Sequence, residues 1–193
     1  MEGAERPDLQ LYFSPVSYTR APVGVRPLMN PDPFPGFLLG YNACKPTSAG
    51  YLQIKSPDPE EAPEMHSNYL DTEYDRAVML AGMRLMREIA SMPALEAVID
   101  AEISPGPEVN TDDEMAAFIR EKSWTVFHQC GTCRMGDDPT QSVVDGRLRV
   151  HGVDGLRVVD ASVFPTVTTG NTNAPAIMVG EKGSDMIRED ARG

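Results

Sequence analysis

Prolines constrain the first 70 residues more tightly than any other residue type, because proline lacks a backbone N–H and fixes φ. Leu9–Phe13 alternates apolar and polar residues at its start, as a half-buried strand does, and Phe37–Tyr41 is a short apolar run that fits a buried strand. The segment between them contains Pro15, Pro22, Pro27, Pro31, Pro33 and Pro35. Parallel neighbours would need a crossover helix, so the sequence predicts an antiparallel sheet with an irregular connecting loop. Tyr51–Lys55, another alternating run, is predicted to be a further strand.

The spacing of apolar residues becomes helical after residue 70. Asp71–Asp75 supplies an N-cap and a capping box, and the helix that follows is expected to end before Pro93. Its apolar stripe contains Val78, Ala81, Leu85 and Ile89. A shorter helix is predicted over Ala94–Ala101, and Thr111–Glu114 is a second capping box that opens a third helix. Strands followed by helices indicate an α+β fold, with an antiparallel sheet backed by helices.

The composition excludes several classes of protein. The formal net charge of -12 opposes nucleic-acid binding, which depends on Lys and Arg contacts to phosphate. Three cysteines are too few, and odd in number, for a secreted disulfide framework. No apolar run approaches the roughly 20 residues that a membrane span needs, and the N-terminus lacks the regions of a signal peptide. We therefore expect a cytoplasmic protein that binds neither nucleic acid nor membrane.

His128 is the histidine that best fits a catalytic role. A neutral imidazole can accept a proton near pH 7 and so can deprotonate an alcohol. Gly131 and Gly136 allow tight turns in the same loop, which would let the ring lie beside a flat ligand. A histidine on a loop can also be purely structural, and we interpret His66 and His151 in that way.

Cys130 and Cys133 form a C-x-x-C pair that raises two further alternatives. A structural zinc site needs four nitrogen or sulfur ligands, and His128 is the one nearby supplement in sequence. A redox pair would normally open a helix in a βαβ unit, which this loop does not resemble. We therefore expect no metal site, and interpret both cysteines as small apolar side chains.

The last 50 residues read as buried strands followed by a polar turn and a helix. Leu148–Val150 and Leu156–Val159 are the predicted strands. Asp160 follows the second strand, where an acid could contact a polyol or pyrophosphate group, or could simply form a turn. Gly170–Pro175 places amide, hydroxyl and backbone N–H groups at the positive end of a helix dipole, which favours negative charge. The alternative is an ordinary helix cap.

Asn173 is the predicted N-cap of that last helix, with Pro175 in its first turn. Its predicted apolar side contains Ile177, Met178 and Met186. Gly180 and Gly183 each destabilise the helix by roughly 1 kcal/mol relative to alanine. Such glycines usually permit the close approach of another backbone or a ligand.

Taken together, these motifs resemble one family closely. They are similar to the C-terminal part of the glucose–methanol–choline (GMC) oxidoreductases. The residues that carry the resemblance are the run 128–136, Val144, Asp145, Leu148–Val150, Gly152, Val153, Leu156–Val158, Asp160–Ser162, Pro165, Asn171 and Asn173. Ala49 departs from the pattern, because many relatives carry Arg before the following glycine.

The resemblance implies a role for each matching residue. His128 matches the base that takes the substrate hydroxyl proton while hydride passes to the flavin of FAD. Asn171 matches the second active-site position and would hydrogen-bond the substrate oxygen. Four residues match positions beside FAD. Asp160 and Ala161 match positions next to its ribityl and pyrophosphate groups, and Thr172 and Asn173 lie where backbone N–H groups approach its pyrimidine edge.

The resemblance also implies how the chain is organised. Residues 1–150 would form the substrate-binding domain, and residues 151–193 would form the C-terminal segment of an FAD-binding α/β domain. Because the chain has no Gly-x-Gly-x-x-Gly after an N-terminal strand, we expect the main FAD site to lie outside it. The chain would then be a C-terminal portion that is inactive alone. Exposed apolar residues such as Val158, Val159 and Ile177 would favour self-association or binding of the remaining FAD-binding part.

The predicted function is that of an FAD-dependent oxidoreductase acting on the CH–OH group of a small-molecule alcohol. An alternative is a non-catalytic module that complements a separate FAD-binding chain. Hydroxynitrile lyase chemistry, which occurs on the same scaffold, is a further alternative.

Overall fold

A computed structural model describes residues 5–18 and 30–192 of the chain, and these residues form two compact units. Within the described ranges, the units comprise Met1–Ala43 with Glu73–Trp124, and Cys44–Thr72 with Thr125–Gly193. Both units contain antiparallel strands and helices, which confirms the predicted α+β class. Across the described ranges, no helix has the length and apolar character that a membrane span requires. The predicted division into functional domains near residue 150 stays a prediction.

In the part of the first unit that the structure describes, the sheet consists of two antiparallel strands, β1 (Leu9–Ser14) and β2 (Leu38–Ala43). Leu9 lies opposite Ala43, and Ser14 lies opposite Leu38. Both strands confirm the sequence prediction, although β2 is half-buried along its whole length rather than buried. The part of the proline-rich connection that the structure describes before β2, residues 30–37, contains no regular structure, as expected. Pro22 and Pro27 lie outside the described residues.

The described residues of the first unit form three helices, α1 (Glu73–Ala90), α2 (Pro93–Glu96) and α3 (Asp112–Lys122). The two that follow capping boxes in the sequence, α1 and α3, begin where those boxes predict. The Thr111 hydroxyl accepts the Glu114 N–H at 3.3 Å, and the Glu114 carboxylate accepts the Thr111 N–H at 2.9 Å, so the capping box is complete. The prediction that α2 extends to residue 101 is wrong. Ala97 and Val98 form a turn instead, and Val98 is 70% exposed, so little burial stabilises a longer helix there.

The core of the first unit lies between α1, α3 and the sheet. A Cβ at Gly82 of α1 would lie 2.5 Å from the Tyr41 ring on β2, so this glycine permits close packing of helix on strand. The same burial raises the pKa of Tyr41 to about 12. Among the described residues of this unit, the buried apolar side chains come from α1 and α3: Val78, Met83, Met86, Met115 and Ile119.

The second unit contains one hairpin and one long helix. The hairpin consists of β3 (Tyr51–Gln53) and β4 (Glu64–His66), and the helix is α4 (Asn173–Asp190). A short 3₁₀ helix, Ala161–Val163, lies between them in the chain order. The core of this unit consists of Val144, Leu148, Val163, Phe164 and Val179.

The two strands predicted around residues 148–150 and 156–159 do not form, and this prediction was wrong. The two segments contain isolated bridges instead of strands. Val150 forms one bridge with Val144, and Arg149 forms one with Arg157. Leu148 has φ 64°, and Gly152 has φ 74°. These left-handed conformations turn the backbone, so a ladder cannot extend past them.

The α4 helix corrects the predicted apolar side. Val179 and Gly183 are buried and Met186 packs on the core, whereas Ile177 is 60% exposed and Met178 is 52% exposed. Only Met186 of the three predicted residues therefore lies on the buried side. A helix face is set by what packs against it, and the apolar residues of this helix extend around more than one face.

Close packing against α4 also covers two residues that were expected to be exposed. Val158 and Val159 are partly buried against the core, and a Cβ at Gly183 would lie 2.5 Å from Val159 Cγ1. Gly183 thus permits close packing against side chains of the core, rather than the approach of a backbone or a ligand that such glycines usually permit. Gly180 does not, because a Cβ there would meet nothing within 4 Å.

Candidate functional site

The loop that carries His128 is attached to the 3₁₀ helix by backbone hydrogen bonds. The Gly131 and Cys133 N–H groups both donate to the Ser162 carbonyl, at 3.0 and 3.1 Å, and Met135 N–H donates to the Val163 carbonyl at 2.8 Å. Gly131 has φ 89°, a conformation that favours glycine. These bonds bring the run 128–136 against residues 161–163, although more than twenty residues of the chain separate the two segments.

His128 lies beside the start of α4. Its ring is half-buried, and its Nδ1 atom lies 3.1 Å from the hydroxyl oxygen of Thr172, a residue that is 8% exposed. Asn171, the residue before Thr172, is exposed. His128 and Asn171, the two residues predicted to act on the substrate, therefore both lie in the second unit. A hydrogen bond joins His128 to Thr172, the residue that follows Asn171.

The backbone before His128 adopts an unusual conformation. Phe127 has φ 61°, which is rare for an aromatic residue, and its side chain is 79% exposed. Its N–H donates to the Thr125 hydroxyl at 2.9 Å. Such a conformation costs on the order of 1 kcal/mol and persists only where neighbouring contacts impose it.

A small polar cluster supplies those contacts. Gln129 donates from Nε2 to the Thr125 hydroxyl at 2.6 Å and to the Tyr69 hydroxyl at 2.9 Å. Burial opposes ionisation of Tyr69, but hydrogen bonds with Thr125, Gln129 and Ser67 outweigh it and lower the pKa of Tyr69. Sequence reasoning missed this cluster, because Tyr69 and Gln129 are 60 residues apart and no local pattern connects them.

Asp160 and Ala161 lie at the 3₁₀ helix. The Asp160 carboxylate accepts the Ser162 N–H at 2.7 Å, so the side chain caps this helix as a turn-forming aspartate does. Asp160 is exposed. Ala161 packs against the core of the unit.

The start of α4 differs from the predicted cap. Thr172, not Asn173, is the N-cap residue, and Asn173 is the first helical residue. The Thr172 side chain makes no capping hydrogen bond, and its φ and ψ of -80° and -8° are helical rather than extended. The third helical residue is Pro175, which has no N–H to donate to a cap. Backbone N–H groups at this helix end are therefore not covered by the side chain of the cap residue.

The remaining histidine and cysteine side chains near the site have structural surroundings. His151 donates from Nε2 to the Gly136 carbonyl at 3.0 Å and lies 3.2 Å from the Ser142 hydroxyl. Burial raises the pKa of the Cys130 thiol, and the opposing charge of Arg134 does not cancel this effect. Within residues 5–18 and 30–192, no group of three or more potential ligands is arranged to hold a metal ion.

Comparison with known proteins connects this site to one family. A family model described as GMC oxidoreductase matches residues 46–180. Among curated proteins, the chain is 45% identical over 185 residues to an oxygen-dependent choline dehydrogenase of Pseudomonas fluorescens (strain Pf0-1), covering 95% of this chain and 31% of that protein. It is 48% identical over 153 residues to an oxygen-dependent choline dehydrogenase of Escherichia coli O157:H7, covering 79% of this chain and 27% of that protein.

Solved structures include the same fold. Pyridoxine 4-oxidase from Mesorbium loti superposes with a TM-score of 0.82 at 29% identity, covering 95% of this chain and 35% of that one. A formate oxidase superposes with a TM-score of 0.75 at 27% identity, covering 83% of this chain and 28% of that one. The chain thus spans about a third of the length of the proteins it matches.

Proposed function

The chain belongs to the GMC oxidoreductase family, and from this we propose that it supplies the substrate-side residues of an FAD-dependent oxidoreductase acting on alcohols. The observation that carries the proposal is the hydrogen bond between His128 and Thr172, because it joins the two motifs that the family resemblance predicts to meet. The names of similar proteins, a choline dehydrogenase and a pyridoxine oxidase, support a hydroxyl-bearing substrate.

In this proposal the two motifs divide the work on the substrate. His128 accepts the proton of the substrate hydroxyl, because a neutral imidazole has one ring nitrogen free to do so. The Asn171 side chain hydrogen-bonds the substrate oxygen and orients the carbon that bears the leaving hydride. Orientation of this kind accounts for much of the rate that an enzyme gains over solution.

The residues present fit an FAD ring at the start of α4. The Thr172 side chain makes no capping hydrogen bond, and Pro175 has no N–H. The oxygen of the cap residue therefore does not cover the positive end of the helix dipole, which favours a negatively charged ligand group. We propose that Thr172 and Asn173 hold the pyrimidine edge of the flavin here, and that Asp160 and Ala161 lie near its ribityl and pyrophosphate groups. FAD, when bound, supplies the acceptor for the hydride.

Three further parts of the prediction are proposals of the same kind. We propose that residues 1–150 serve substrate binding and residues 151–193 serve FAD binding, with the main FAD site outside these residues. We propose that exposed Ile177 and Met178 on α4 contact the remaining FAD-binding part or a second copy of the chain. Three free cysteines, Cys44, Cys130 and Cys133, support a reducing, cytoplasmic location.

The test is a single substitution in an FAD-loaded protein that contains these residues. His128→Ala should slow flavin reduction by choline, the first alcohol to try, by roughly 10²-fold or more. Stopped-flow absorbance at the flavin band measures this rate.

His66→Ala is the matched control for that test. His66 lies on β4, where it stacks on Tyr51 with 4.5 Å between ring centroids. Its loss should leave the reduction rate unchanged. Flavin reduction at the wild-type rate in His128→Ala would show that another group takes the proton.

A further inference from the structure

We propose that Thr172 is a positioning residue that holds the His128 ring in the tautomer needed for a base at Nε2. This inference rests on the proposed function, since it assigns the side chain behind the base. It differs from the backbone role predicted for Thr172, because here the hydroxyl does the work.

The first step is the geometry of the hydrogen bond. The Thr172 hydroxyl oxygen lies 3.1 Å from His128 Nδ1, and Thr172 is 8% exposed. A buried hydroxyl that holds one ring nitrogen restrains rotation of the imidazole, because rotation would leave the hydroxyl unpaired. The other ring nitrogen, Nε2, is then the one that can turn toward a ligand.

The second step explains why this hydroxyl is available. A threonine at an N-cap normally accepts an N–H from the second or third helical residue. Here the third residue is Pro175, which has no N–H, and the Thr172 backbone is helical rather than extended. The proline removes one of these two N–H groups, and the side chain makes no capping bond to the other, so the hydroxyl is available to bond His128.

The third step is the proton count on the ring. A neutral imidazole carries one N–H, so Nε2 can act as a base only when Nδ1 holds that proton. In the proposed arrangement Nδ1–H donates, and the Thr172 hydroxyl oxygen accepts. A hydroxyl is also able to donate to a bare Nδ1, and the tautomer measurement below distinguishes these two arrangements. When Nε2 takes the substrate proton, the ring becomes positively charged and the same bond becomes a stronger, charge-assisted one.

The primary test reads the tautomer directly and needs neither cofactor nor substrate. The protein is labelled with ¹⁵N in its histidine rings and its ring nitrogen shifts are recorded at about pH 8.5, where an ordinary imidazole is neutral. The His128 signals are those that disappear in His128→Gln. We expect a protonated Nδ1 and a bare Nε2. A wild-type ring protonated at Nε2 and bare at Nδ1 overturns the inference without any threonine variant.

Two variants of Thr172 then separate positioning from folding. Thr172→Val keeps the side-chain size but removes the hydroxyl, and should move the ring population toward the Nε2–H form. In the FAD-loaded protein it should slow flavin reduction by choline about tenfold, with little change in apparent substrate affinity. Thr172→Ser keeps the hydroxyl and should restore both the tautomer and most of the rate.

Thr169→Val is the matched control, because Thr169 is exposed and lies three residues earlier in the chain. It should change neither readout. An unchanged tautomer in a folded Thr172→Val protein, or no recovery in Thr172→Ser, overturns the inference. If the tautomer follows Thr172 as expected but His128→Ala reduces flavin normally, the positioning stands and the proposed function fails.

Discussion

Gly180 and Gly183 lie on the same helix, α4, but only one of them has room for a methyl group. A Cβ at Gly183 would lie 2.5 Å from Val159 Cγ1 and 3.2 Å from Leu148 Cδ1, whereas a Cβ at Gly180 would meet nothing within 4 Å. Leu148 is 3% exposed, and the branched side chain of valine has few rotamers, so neither neighbour can move away easily.

The two alanine substitutions should therefore change stability in opposite directions. Replacing a glycine inside a helix by alanine gains about 1 kcal/mol, and Gly180→Ala should show that gain in its free energy of unfolding. Gly183→Ala has the same gain, but overpacking of about 2–3 kcal/mol opposes it. We expect Gly183→Ala to be less stable than the wild type by about 1–2 kcal/mol.

Urea unfolding followed by far-ultraviolet circular dichroism measures both free energies. The slopes should stay equal, so that midpoints report stability alone. Val159→Ala removes both Cγ atoms of that valine, including the atom nearest to the added methyl group, and adding it to Gly183→Ala should recover about 1–2 kcal/mol beyond additivity. Equal stability of the two alanine variants, or strict additivity with Val159→Ala, would refute the packing argument.

Two further predictions concern hydrogen-bonded side chains. The Asp145 carboxylate accepts the N–H groups of Arg147 and Arg149 at 2.8 and 2.9 Å and the Arg149 side chain at 2.8 Å. Burial opposes its charge, but these bonds outweigh it and hold the pKa of Asp145 below its usual value. Asp145→Asn should lower the free energy of unfolding by about 1–3 kcal/mol at neutral pH, and since the folded-state pKa is the lower one, the difference should fade below about pH 4 in urea titrations. Thr111→Ala should lower it by about 1 kcal/mol through loss of the α3 capping box, and Thr111→Ser should restore thermal stability; an unaffected Thr111→Ala melting temperature would contradict this.

Short-range patterns account for the parts of the fold that sequence reasoning predicted well. The capping box at Thr111 and the end of α1 before Pro93 both depend on groups within a few residues of each other. The β1 strand shows the period-two pattern that its half-buried face requires. The predicted roles of His128 and Asn171 came from the family resemblance, because residue spacing alone does not assign them.

Long-range contacts account for the predictions that failed. The bridges near Leu148 replace predicted strands because the backbone there turns through a left-handed conformation. The buried side of α4 is the one that meets Val159, and a helix with apolar residues on several faces does not reveal which face will be covered. The polar cluster of Tyr69, Thr125 and Gln129 joins segments distant in the chain.

By itself, therefore, the sequence determined the class of fold, the main helix starts and the residue types available for proton transfer. It also contained Pro175 at the third helical position, which removes one of the two N–H groups that the Thr172 hydroxyl could cap. Only the tertiary structure decided that this hydroxyl bonds His128, because the partner lies 44 residues away in the chain. Hydrogen bonds within a helix turn follow from local order, whereas bonds between distant loops exist only once packing has brought those loops together.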